Sequence, residues 1–383
     1  MSFELFNFNG DFSPLKFKKF FKYCHDNYVS DITIQGGDYI WVEIFGRQIQ
    51  ATPHIIQQAQ MPIIVSAIWS TDINSYIRSG KGADRSLEIS GEEIDVPRWK
   101  PIRFRCNFIQ GQVAHINEAY SITMRIIPNT LPDLAKLNIE NDLFNSFYPS
   151  MGLVLVCGPT GSGKTTLLAG IYAHVGKYMP DRKVVTYEDP VEFILGGTHW
   201  KGVQPSQSQI GKDIENFALG LRNAMRRKPS IIGIGEARDL ETIDAMLEAS
   251  LSGHLTFATI HAHSVSETIN RIIQVYPPAS HSSIASRLLG TLQVIVVQRL
   301  LKTLDGKRCA IREYLIFDRE LKNKLQQESF EKWAFIIRNL LETKHLTLID
   351  KAYGLLKNNI IDKQEFITIA GSNEFTKRQG GKY

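Results

Sequence analysis

Gly158-Pro159-Thr160-Gly161-Ser162-Gly163-Lys164-Thr165 satisfies the GxxxxGKT spacing in full, and Thr166 extends it. Gly158, Gly161 and Gly163 free the backbone to wrap, so that successive N–H groups converge on an anion. Lys164 adds an ammonium for the β- and γ-phosphates, and the Thr165 hydroxyl can ligate magnesium. The apolar run Gly152–Val156 precedes the motif and the helical pattern TTLLAGIYAHVGKY follows it. A helix starting there turns its positive end toward bound phosphate. The segment therefore reads as a nucleotide-binding loop for ATP and Mg2+, and other residues must decide whether hydrolysis follows.

Two acidic segments close apolar runs. Val184–Tyr187 leads into Glu188, and Ile231–Ile234 leads through Gly235 into Glu236. Ligands collect at the carboxyl ends of parallel strands, and a carboxylate there can hold magnesium or orient water. Glu236 is expected to organise water and the metal, and Glu188 to act as general base. The competing reading is that such acids cap helices, and Asp239 does read as the N-cap of LETIDAMLEASLSG. His254 and His261 bracket the strand-like LTFATI, and a His near a γ-phosphate can sense its loss. His263 reads as solvated. No His or Cys has zinc-ligand spacing. Arg103, Arg105 and Arg125 fall on strands of the first part of the chain, and Arg222, Arg226 and Arg227 on the helix before Glu236. On spacing alone these arginines are solvated faces, though phosphoryl transfer gains from a cation on the developing charge.

The elements that must position these groups divide by pattern. Residues 1–128 read as mixed α+β. Ser13 and Pro14 start a helix to Tyr28 with Phe17, Phe20, Phe21 and Cys24 on its apolar side. Ile32, Ile34, the turn Gly36-Gly37-Asp38, and Ile40, Val42, Ile44 form a hairpin. Further strands are expected over 102–108 and 121–127. The prolines of PNTLPDL open a linker over 129–149. Residues 150–318 alternate strand and helix as a parallel α/β sheet does. Residues 319–383 are helical, with a frayed TKRQGGKY tail.

The composition permits this layout and excludes others. A chain of 383 residues with 43% apolar and 22% charged residues suits two soluble domains with a terminal extension. The formal charge of +5 is too weak to argue for nucleic acid or an anionic membrane. The four scattered cysteines lack CxxC spacing and suit a reducing compartment. MSFELFNFNGDF does not read as a secretory signal, and no apolar run approaches the roughly 20 residues of a membrane span.

GPTGSGKTT, TYEDPVEF, GEARDLET and SGHLTFATIHAHS, in that order, resemble the phosphate loop, Asp box, Walker B variant and His box of bacterial secretion-superfamily ATPases. These include PilT-type pilus retraction motors and traffic ATPases of type IV secretion. SDITIQGGDYIWVEIFGR, IRFRCNF and SITMRIIP resemble their PAS-like N-terminal domain. IIRNLLETKHLTLIDKAYGLLKNNIIDKQEF resembles the C-terminal helices of the retraction branch, although AFIIRNLLE only approximates the retraction motif. SDITIQ, NAMRRKP and DGKRCAIREYLIFD look closest to the DotB/TraJ group of type IVB secretion and plasmid transfer.

The resemblance implies an α/β fold in which a RecA-like P-loop ATPase domain follows a PAS-like α+β domain and precedes C-terminal helices. It implies a homo-oligomer, a hexamer, at the cytoplasmic face of the bacterial inner membrane. Nucleotide would lie between the N-terminal domain of one copy and the RecA-like domain of another, within reach of Arg105 and Arg125. Glu188 and Glu236 would be catalytic, with His261 and His254 linked to the γ-phosphate. Alternatives are a retraction motor, a nucleotide-gated assembly scaffold, or a DNA-translocating motor. Direct nucleic-acid binding is not expected, because no dense basic stripe is present.

Overall fold

Ser13 caps the first helix as its sequence dictates: its Oγ accepts the Lys16 N–H at 3.3 Å, and Pro14 occupies the first helical position. The helix runs Pro14–Asp26 and buries Phe17, Phe20, Phe21 and Cys24. It belongs to a computed structural model that describes residues 3–128 and 130–378. The chain divides into two units, Met1–Thr130 and Leu131–Tyr383.

The first unit holds six strands: β1 (Asp31–Gln35), β2 (Trp41–Ile44), β3 (Arg47–Gln50), β4 (Ala83–Ile89), β5 (Ile102–Val113) and β6 (Ile116–Ile127). They form one antiparallel sheet in the order β3-β2-β1-β6-β5-β4. Alternation sends Ile32, Ile34, Val42, Phe104, Phe108, Ile122 and Met124 into a core with the first helix's phenylalanines. The other face carries Asp31, Arg103, Arg105 and Arg125, all partly or fully exposed.

The second unit holds β7 (Gly152–Cys157), β8 (Val184–Glu188), β9 (Ser206–Gln209), β10 (Ile231–Ile234), β11 (Leu255–Ile260), β12 (Leu292–Lys302) and β13 (Arg308–Ile316). Their order is β13-β12-β7-β11-β10-β8-β9, parallel except for the β12–β13 pair. β7, β10 and β11 are buried along their whole length, which is why they read as unbroken apolar runs. The parallel alignment brings the ends of β7, β8, β10 and β11 to one edge.

Two boundary expectations need revising. From Leu131 on, the stretch expected as a linker is part of the second unit. Leu134, Leu143 and Phe147 bury against Val154, Leu167 and Ile171, and fully burying such a side chain contributes about 1.5–3 kcal/mol. The prolines shorten its elements to a 3-10 turn at Leu134–Leu137 and a helix at Asn141–Ser146 without freeing the segment. Residue 129 lies outside the described residues.

The C-terminal helices likewise share the second unit's core, through Leu325, Trp333, Ile337, Leu341, Ala352 and Phe366. Glu313 on β13 reinforces that attachment. Its buried carboxylate accepts the Val265 N–H at 2.8 Å and the Leu348 N–H at 3.4 Å, at the starts of two helices. Of the tail expected to fray, residues 376–378 close the helix Ser372–Arg378, and 379–383 lie outside the described residues.

Candidate functional site

The loop after β7 has a backbone that only glycine tolerates. Gly158, Gly161 and Gly163 take φ of +140°, +76° and +83°. A Cβ on Gly158 would lie 2.4 Å from the Gln298 carbonyl oxygen. Lys164 is the first residue of the helix Lys164–Tyr178. Its Nζ donates to the Gly158 and Pro159 carbonyls, both at 2.9 Å. Burial lowers its pKa, and the charges of Glu236 and Glu192 work in the other direction. The wrapped loop, the lysine and the helix start fit the phosphates of a nucleotide.

Beside the loop, one cleft is lined by Thr165, Tyr172, Glu188, Gln207, Gly235 and Glu236 among others. Glu188 ends β8. Its Oε1 accepts from Thr186 Oγ1 at 2.6 Å and from Gln207 Nε2 at 3.0 Å. Burial nonetheless pushes its pKa above the ordinary value. Glu236 follows β10 on a strapped backbone: the Gly235 N–H donates to the Tyr187 carbonyl at 2.7 Å, and the Ala237 N–H to the Thr259 carbonyl at 2.9 Å. Thr259 Oγ1 donates to the Gly235 carbonyl. Glu236 Oε1 then lies 3.5 Å from His261 Nε2. Burial and the Lys164 charge lower the His261 pKa, and Glu236 opposes them. The structure therefore gathers the loop, Thr165, Glu188, Glu236 and His261. Thr165 and Glu236 offer the hard oxygen donors that Mg2+ takes alongside phosphate oxygens.

Other expected residues stand elsewhere. His254 precedes β11 at the end opposite His261. Its Nδ1 lies 3.3 Å from the Ala249 carbonyl and 3.2 Å from Ser252 Oγ, so it closes the preceding helix rather than facing the loop. A six-residue strand separates its flanking residues by about 20 Å, and the structure does not bring His254 together with His261 at the loop. His263 lies 3.2 Å from Arg299 Nη2 through Nδ1. Arg222, Arg226 and Arg227 do not line the cleft. Asp239 is the expected cap, accepting the Thr242 N–H at 2.9 Å.

Arg103, Arg105 and Arg125 belong to the first unit. Arg125 Nε donates to Asp31 Oδ1 at 2.8 Å, and Arg103 pairs with Glu88 at 3.2 Å. Sequence reading missed Gln207, whose strand SQSQ is a polar edge with no apolar signal. It also missed Gln298 and Arg312, which line a second cleft with Asn138, Gly163 and Thr166. Gln298 carried a signal, since it closes the apolar run 294–297, whereas Arg312 stands beside Glu313 in RCAIREYLI and did not.

Comparison with known proteins follows the same lines. The chain is 35% identical over 264 residues to the type IV pilus retraction ATPase PilT of Pseudomonas aeruginosa, covering 68% of this chain and 74% of that protein. The ATPase DotB of Legionella pneumophila superposes with a TM-score of 0.88 at 32% identity, over 96% of this chain and 100% of that one. The pilus retraction motor PilT with bound ADP superposes with a TM-score of 0.77 at 27% identity, over 94% and 98%. The fold is thus the RecA-like ATPase fold with an N-terminal domain and C-terminal helices. The type II/IV secretion system protein family model matches residues 17–334, which take in the loop, both carboxylates and His261, and the chain belongs to that family.

Proposed function

We propose that this chain hydrolyses ATP and works as a hexameric motor for type IVB-class secretion or conjugative transfer. One observation carries the reading: Glu188 and Glu236, on the ends of two parallel strands, share a cleft with Thr165 at the mouth of the phosphate loop. The loop amides and Lys164 hold the triphosphate. Thr165 and Glu236 would hold Mg2+, which when bound neutralises charge on the phosphate oxygens. Glu188, its basicity raised by burial, takes the proton of the attacking water. His261 and Glu236 sit together where the γ-phosphate leaves. Arg105 and Arg125 supply positive charge to nucleotide held by another copy. Differential contact before and after cleavage then drives motion between the units.

No helix among the described residues is long and apolar enough to cross a membrane. We place the ring in the bacterial cytoplasm, docked on the inner-membrane apparatus. Phosphate release by the purified chain, with its oligomeric state measured with and without nucleotide, tests the reading. Slow turnover with nucleotide-dependent assembly would support a gated scaffold instead. The kinship to PilT favours a second reading, a pilus retraction motor. Restored twitching in a strain lacking its own retraction ATPase would select it.

A further inference from the structure

We infer that Gln298 and Arg312 are positioning residues that tie the phosphate loop to residues 134–140, so that occupancy of the loop is felt in the segment leaving the first unit. The inference rests on the nucleotide-binding reading above.

Gln298 and Arg312 are direct partners across the β12–β13 ladder, and each is only 3% exposed. Gln298 uses both ends of its amide. Its Nε2 donates to the Ser162 carbonyl, inside the phosphate loop, at 2.8 Å. Its Oε1 accepts Arg312 Nε at 2.8 Å. The guanidinium then turns its other nitrogens outward: Nη1 donates to the Asn138 carbonyl and Nη2 to the Leu137 carbonyl, both at 3.0 Å. Those carbonyls close the short turn Leu134–Leu137, and Asn138 sits in the left-handed region at φ +48°. An unbroken polar chain thus runs from a loop peptide to that turn.

The chain is stiff for physical reasons. Removing a guanidinium from water is costly, and burial depresses the Arg312 pKa. Three directed, charge-assisted bonds offset that cost only in this geometry. Lysine has no planar fork with which to reach three separate acceptors. Gln298 also packs against the glycines on both sides: a Cβ on Gly158 would strike its carbonyl, and one on Gly163 would lie 2.9 Å from its Nε2. A phosphate that reorients the Ser162 peptide must therefore move Gln298, and Arg312 passes that displacement to Leu137 and Asn138. Such coupling is reciprocal, so anchoring the turn favours the bound loop.

The test uses the full chain with ADP and a non-hydrolysable ATP analogue as probes. Hydrogen exchange is followed over 131–141, and nucleotide affinity is measured separately by fluorescence. The wild type should bind nucleotide and slow exchange over 131–141. Gln298→Leu combined with Arg312→Met removes both side-chain partners together, so no buried guanidinium is stranded, and it takes the donors from the Ser162, Leu137 and Asn138 carbonyls, which is the link under test. This variant should bind nucleotide about 5- to 150-fold more weakly and lose the exchange response. Should it not fold, Gln298→Asn shortens the reach by one methylene, keeps the amide, and should lose the response in the same way. A wild-type exchange response in either folded variant would overturn the inference, as would wild-type binding without any response at 131–141. Failure of the wild type to bind nucleotide would overturn the functional reading itself, and the fluorescence measurement reports that outcome separately.

Discussion

Arg105 and Arg125 stand directly opposite one another across the β5–β6 ladder, two like charges on the exposed face of the first unit's sheet. Such pairs destabilise a sheet, and Asp31, in register with Arg125 on its other side, offsets part of the repulsion. Arg105→Thr should therefore leave the melting temperature unchanged or slightly higher. Turnover should fall on the order of 10³-fold if the arginine serves phosphoryl transfer. Mixing Arg105→Ala with Lys164→Ala subunits should restore part of the activity, because each variant spares what the other lacks. Absence of rescue at every ratio would count against shared sites.

Lys164→Ala should abolish turnover, and Gly158→Ala should do so through the loop's shape, since its methyl would meet the Gln298 carbonyl. Glu236→Gln should keep nucleotide binding and lose hydrolysis. Binding and phosphate release measured side by side separate these outcomes. Normal turnover in Lys164→Ala would remove the loop from the mechanism.

Glu188 gives a pH signature. Burial raises its pKa, so the folded chain holds this proton more tightly than the unfolded chain does. Its contribution to stability is therefore full below the ordinary carboxylate range and is lost as pH rises through the raised value. Glu188→Gln should raise the melting temperature more at pH 8 than at pH 4. Its turnover should drop by about 10² to 10⁴. A melting gain independent of pH would contradict the assignment.

The two histidines should separate cleanly. His261→Ala removes the partner of Glu236 and should slow turnover with little change in melting. His254→Ala loses contacts at a helix end and should cost about 0.5–1.5 kcal/mol of stability with turnover within about twofold. Urea unfolding and steady-state rates on both variants check this, and the reverse pattern would restore His254 to the site.

The site was most legible where chemistry demands contiguous residues. The phosphate loop can be read letter by letter, because backbone wrapping needs glycine at fixed positions. Glu188 and Glu236 were legible because fully buried parallel strands leave apolar runs with one polar end. β4 and β9 left no such trace, since ADRSLEI and SQSQ are edge strands with little to bury. His254 was legible as the start of its strand, and its proposed link to the phosphate drew on the resemblance rather than on that position. The linker was overread from its prolines, while Leu134, Leu143 and Phe147 already carried the apolar pattern of an anchored segment.

Glu313 ties the last helices to the catalytic half. One acid joins the start of the helix behind the His box to the start of a helix more than seventy residues further along the chain. Ending the protein before Leu348 would strip that acid of a donor and take Leu348, Ala352 and Phe366 out of the shared core. In the remnant the acid that holds the helix after His261 would sit half-satisfied in a buried place.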